Sequence, residues 1–176
     1  VLRGNIDQGA SSPKPKNWRD SWPPFGAGEI LMCNIIQAIE RSYGSLERPY
    51  WSFVSKRIKE GLHDPLVQKL AEVGSVQEAT DQNDDCSRCL FIASGTQSLT
   101  LRLCLVGEFA CVHDVNGRFF SETDLLSCAM GERLAQLLTA SDIELVDEEV
   151  PRTEAELGGE KHTLYDVLFS SDSMIS

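Results

Sequence analysis

CLFIASGTQSLTLRLCLVGEFACVHDVNGRFF, residues 89–120, decides the fold. Within it Leu99, Leu101, Leu103 and Leu105 alternate with Thr100, Arg102, Cys104 and Val106, the period of two that a strand imposes on its side chains. Residues 89–94 form an earlier apolar strand, and SGTQS (94–98) between the two reads as a short hairpin loop. Gly107-Glu108 marks a turn or bulge, and residues 109–115 a further strand. Asn116-Gly117 predicts a two-residue type I′ turn, because both residues tolerate positive φ, and residues 118–120 return from it.

Upstream the period lengthens to that of a helix. Ile30, Leu31, Cys33, Ile35, Ile36, Ile39 and Tyr43 give an apolar stripe over 29–43, closed by Gly44. A second helix is expected over 47–60, with Pro49 in its first turn, and a third over 64–73, with Asp64 as N-cap and Pro65 at N1. Residues 74–88 are polar and read as loop. Downstream, Ser121 and Asp124 resemble a capping box ahead of one helix over 122–140. Strands are expected at 143–146 and 162–169, with a long acidic loop, 148–161, between them. This segregation of helices and strands predicts an α+β fold: N-terminal helices, an antiparallel β-meander of about four to six strands, and one further helix packed on the sheet, with the helices on one face.

Residues 1–28 lack a hydrophobic period. Pro13, Pro15, Pro23 and Pro24 keep that stretch extended, with Trp18, Trp22 and Phe25 between them. The expected organisation is an extended Pro/aromatic arm, 1–28, and a single α+β domain, 29–176. The aromatics of such an arm need a surface to lie on, and a partner chain is the expected source. The chain opens on Val1, so a processed or truncated N-terminus is expected.

Charge narrows the function classes. Twenty-seven acidic residues against 16 basic ones give a net −11, which argues against binding nucleic acid through its phosphates and against anionic membranes. No apolar run approaches the roughly 18 residues of a membrane span, so membrane insertion is not expected. The charge is uneven. From Asp142 to Ser176 ten acidic residues face two basic ones, a net of −8. Such a footprint suits a basic partner, and Glu148, Glu149, Glu154 and Glu156 are its candidate binding residues.

Four of the six cysteines, Cys33, Cys104, Cys111 and Cys128, lie inside apolar runs, as small buried hydrophobes do. Free thiols and an intracellular reducing compartment, cytoplasm or organelle interior, are expected. Cys86-Ser-Arg-Cys89 is a weak candidate for half a zinc site or a redox pair, but a second ligand pair is missing and the motif precedes a strand. Asp81-x-Asn83-x-Asp85 opens like a calcium loop, then places Cys86 and Ile92 where glycine and glutamate are required. Cys111 and His113 share a strand face without an orienting third group, and His162 and Asp166 would meet only on a helix. No catalytic residue and no cofactor is assigned. The expectation is a non-catalytic protein-binding domain, an accessory subunit of a larger assembly. An acidic inhibitor or immunity-type protein that neutralises a basic enzyme is the alternative. A small metal- or thiol-dependent protein using Cys86 and Cys89 is the second.

Overall fold

Period-two runs between turn residues build the centre of the molecule. The computed structural model describes residues 27–170. Strands β1 (Ser75–Glu78), β2 (Ser87–Ser94), β3 (Gln97–Cys104), β4 (Phe109–His113) and β5 (Glu144–Leu145) lie side by side in that order in one sheet. The first four form an antiparallel meander, and β5 runs parallel to β4. Strands β6 (Glu154–Leu157) and β7 (Glu160–Thr163) form a separate antiparallel hairpin. Helices α1 (Ala27–Tyr43), α2 (Phe53–Lys59) and α3 (Asp64–Lys69) precede the sheet. Helices α4 (Glu122–Leu126) and α5 (Ala129–Thr139) cross from β4 to β5, and α6 (Leu164–Leu168) follows β7. The class is α+β, as the alternation at 99–106 predicts.

The helices cover both faces of the sheet, not one. Leu90, Ile92, Leu99, Leu101, Leu103, Ala110 and Val112 point to one side and pack with Leu66 and Leu70 of the α3 region and with Met130, Leu134 and Leu138 of α5. Cys104, Phe109 and Cys111 point to the other and pack with Ile35, Ile39 and Tyr43 of α1, Phe53 of α2, and Leu164, Tyr165 and Leu168 of α6. Successive strand residues alternate sides, so two covered faces need both sets of alternate residues to be buried, and in β4 all five residues are.

Several local expectations give way for identifiable reasons. Helix α2 starts at Phe53 because Ser45 Oγ accepts from the Glu47 and Arg48 amides, holding that stretch in a turn and leaving Pro49 outside the helix. His63, not Asp64, is the N-cap of α3, at φ 69°. Its Nε2 donates to the Cys104 carbonyl at 2.8 Å and holds that left-handed backbone in place. Residues 75–78, expected as loop, form the edge strand β1, whose exposed side left it without an apolar run. The hairpin after β4 has a three-residue loop. Gly117 is at φ 79° while Asn116 is not at positive φ, and the Gly117 amide donates to the Asp114 carbonyl at 3.1 Å. That is a turn followed by a left-handed glycine, not type I′.

The expected helix over 122–140 is two. The capping box forms as read, with Ser121 Oγ accepting from the Asp124 amide and Asp124 accepting from the Ser121 amide. The chain then turns extended at Cys128, and Gly131 packs against the end of α4 so closely that a Cβ would lie 2.2 Å from the Leu125 carbonyl oxygen. The expected acidic loop holds strand β6, which turns through Gly158 and Gly159, both at positive φ, into β7. The expected strand 162–169 is β7 for two residues and α6 thereafter. Helix α1 takes in Ala27 and Gly28 from the end of the expected arm. Trp18, Trp22 and Phe25 lie outside the described residues.

Candidate functional site

Most buried polar side chains of the sheet, Ser87, Thr100, Arg102 and His113 among them, lie on its α1/α6 face, and Arg88 is the exception. Register places Cys89 of β2, Arg102 of β3 and Cys111 of β4 in one cross-strand row. Arg102 Nη1 donates to Asp85 Oδ1 at 2.8 Å, with side-chain exposures of 7% and 8%. Those figures mark a desolvated pair, in which each charge depends on the other. Asp85 Oδ2 also accepts from the Asp81 amide at 2.8 Å, which assigns that carboxylate a structural duty in the former calcium-like loop. The Arg102 guanidinium stands 5.7 Å from the centroid of the Tyr165 ring, so α6 lids the row. Arg102 Nε has no hydrogen-bond partner among the described residues, and neither has His113 Nε2.

The thiols of this region are poor nucleophiles. Burial pushes the Cys86, Cys89 and Cys111 thiols up, and raises Cys104 to about 12. At neutral pH each is a protonated, apolar filler, and the thiolate is the reactive form. The two halves of the C-x-x-C motif have separate surroundings. Cys86 Sγ lies 3.3 Å from the Tyr43 hydroxyl, which also donates to the Val167 carbonyl at 2.7 Å. Cys89 lies in the row with Arg102. Among the described residues no group of three or more His, Cys, Asp or Glu is placed to hold a metal ion. Burial also lowers the pKa of His113, whose Nδ1 donates to the Asp114 carbonyl at 3.0 Å. His162 and Asp166 do not pair. Asp166 instead accepts from the Thr163 amide and hydroxyl and caps α6.

A second ionic cluster ties α3 to the sheet edge. Arg88 donates to both carboxylate oxygens of Glu78, at 2.9 and 2.8 Å, and to Asp64 at 2.5 Å. The Arg88 hydrogen bond holds the Glu78 carboxyl below the usual carboxylate range. Neither cluster was singled out from the sequence. The signal for Arg102 was its place among the buried alternating positions of 99–106, which obliges a charge there to find a partner.

The acidic candidates occupy the surface. Glu148, Glu149, Glu154 and Glu156 are all exposed. Glu154 and Glu156 share one face of β6, while Glu148 and Glu149 sit in a turn before Val150. Arg152 pairs with Glu148 at 2.7 Å and Lys161 with Glu154 at 3.1 Å. Glu149, Glu156 and Glu160 have no cationic partner among the described residues. No helix among those residues is long and apolar enough to cross a membrane. No protein-family model, no curated protein and no solved structure matches this chain.

Proposed function

We propose that the chain is a non-catalytic protein-binding domain, an accessory subunit that receives a basic protein partner on its acidic C-terminal third. One observation carries the reading. Both cations between Asp142 and Ser170 are engaged by carboxylates of that same stretch, and Glu149, Glu156 and Glu160 remain exposed without a cation among the described residues. Exposed like charges of this kind steer encounter with an oppositely charged surface and set its salt dependence. The buried thiols support the non-catalytic part, because burial holds each in the unreactive form.

The test is affinity purification of the full chain from its native source, beside a variant carrying Glu148→Gln, Glu149→Gln, Glu154→Gln and Glu156→Gln. The native chain is expected to retain a basic partner that elutes as salt is raised, and the quadruple variant to retain roughly a tenth as much. Equal retention of the same protein by both would end the proposal.

A further inference from the structure

Two side-chain nitrogens on the α1/α6 face keep hydrogen-bonding capacity that nothing among the described residues uses, Arg102 Nε and His113 Nε2. Both residues are more than nine-tenths buried, with exposures of 6% and 3%. Asp85 holds Arg102 Nη1, but the Nε–H donates to no acceptor. The thiols of Cys89 and Cys111, its neighbours in the row, do not take that proton either. His113 Nδ1 meets the Asp114 carbonyl at 3.0 Å. A carbonyl only accepts, so Nδ1 carries the hydrogen and Nε2 of the neutral ring presents a lone pair. One buried nitrogen is therefore a donor without an acceptor, and the other an acceptor without a donor.

The two side chains share one region of the sheet. Thr100 stands opposite His113 and Arg102 opposite Cys111, so Arg102 and His113 are diagonal neighbours across β3 and β4. Long side chains reach one another over such a diagonal. A circuit of aromatic contacts closes over them. The Arg102 guanidinium is 5.7 Å from the centroid of Tyr165, Tyr165 is 6.0 Å from Phe119, and Phe119 is 6.0 Å from His113. The rings around Tyr43 also meet edge-on, but at 4.9 Å. The circuit through Arg102 and His113 is the looser of the two.

We infer that Arg102 Nε and His113 Nε2 share one enclosed water molecule, which accepts from the arginine N–H and donates to the imidazole. A buried polar atom left without a partner is costly, and water satisfies both at once because it is donor and acceptor together. Charge selects water over an ion. Asp85 already balances Arg102, and the lone pair of neutral His113 repels an anion, while the guanidinium repels a metal cation. Such a water links β3 to β4 through their side chains and fixes the tautomer of His113, with Tyr165 and Phe119 as its roof.

Magnetic relaxation dispersion of the water oxygen signal, with the full chain at neutral pH, counts waters held long enough to tumble with the protein. His113→Phe is expected to lose one of them. His113→Gln, whose amide reaches toward the Nε2 position, is expected to keep it. Asp85→Ala/Arg102→Met, which removes the arginine end, is expected to lose the same one. Equal counts in the native chain and in His113→Phe overturn the inference. Side-chain nitrogen NMR of His113 in the native chain gives a second measurement that depends on no variant's folding. A hydrogen on Nδ1, with Nε2 accepting, is the expected result, and a hydrogen on Nε2 at neutral pH overturns the inference. Broadening of the chloride NMR signal by the native chain that disappears in His113→Phe makes the occupant an anion and overturns the assignment to water.

Discussion

The two faces of the sheet are built on different principles. Toward α3 and α5 the contact is aliphatic apart from the Arg88 cluster at its edge: Leu90, Ile92, Leu99, Leu101 and Leu103 meet Leu66, Leu70, Leu134 and Leu138. Toward α1 and α6 it holds four buried cysteines, a desolvated arginine–aspartate pair, a buried histidine and two buried tyrosines. An aliphatic core loses stability in proportion to what is removed and how well the site collapses. A polar core fails by mismatch, because one deleted group strands its partner in a medium that cannot solvate it.

Asp85→Ala should produce the largest effect, about 3–5 kcal/mol, since Arg102 is left charged and buried. Adding Arg102→Met to that variant should recover much of the loss, because an apolar side chain no longer needs the carboxylate. On the other face Leu134→Ala should cost about 3 kcal/mol and have no such second-site rescue. Urea unfolding of the three variants measures this, and failure of Arg102→Met to rescue would erase the distinction between the faces.

Acid should probe the same contrast more gently. Burial lowers the folded-state pKa of both His63 and His113 below the ordinary value of 6.5. Both are therefore neutral in the folded chain over a range in which the unfolded chain already binds protons. Their contribution is complete above pH 6.5 and is lost as pH falls from there through the folded values. Stability should fall by up to about 1.4 kcal/mol per pH unit for each histidine below that point. For His113 the cause is direct: its Nδ1 already donates, and a proton on Nε2 finds no acceptor among the described residues. His113→Phe should flatten the slope by about half, and a slope unchanged by that substitution would remove His113 from the account.

The smallest effect belongs to the helix caps, one for each face. Ser121→Ala should cost about 1 kcal/mol through α4, and Thr163→Ala about as much through α6. A markedly larger loss at Thr163, read from thermal melting of the two variants, would mean that seating α6 over Arg102 depends on its first turn.

These caps also show how far the sequence could be read. The Ser121–Asp124 box is visible because a helical period follows it. Thr163-x-x-Asp166 is the same signal, but the helix it opens is five residues long, and at that length periodicity does not separate a buried helix from a strand. The meander was legible because alternation over 99–106 is long, and β1 was not because an edge strand need hide little. Gly158-Gly159 was a hairpin signal obscured by acidic neighbours. The exposed acidic residues were plain from composition. The packing of the hairpin tip on the loop between α1 and α2 was not, because it joins residues about a hundred positions apart that only tertiary packing brings together.

That separation has a consequence for the order in which the molecule is made. Phe169 is fully buried, and its carbonyl accepts from the Cys86 amide at 3.0 Å and from the Ser87 hydroxyl at 2.8 Å, across 82 residues of chain in the latter case. On the ribosome every strand of the large sheet emerges before α6 does. The aliphatic face then has its own helices, α3 and α5, in hand, while the row of Cys89, Arg102 and Cys111 still waits for Tyr165. A nascent chain with its sheet and α1 in place thus still lacks the Tyr165 ring beside Arg102, and the arrival of α6 supplies it.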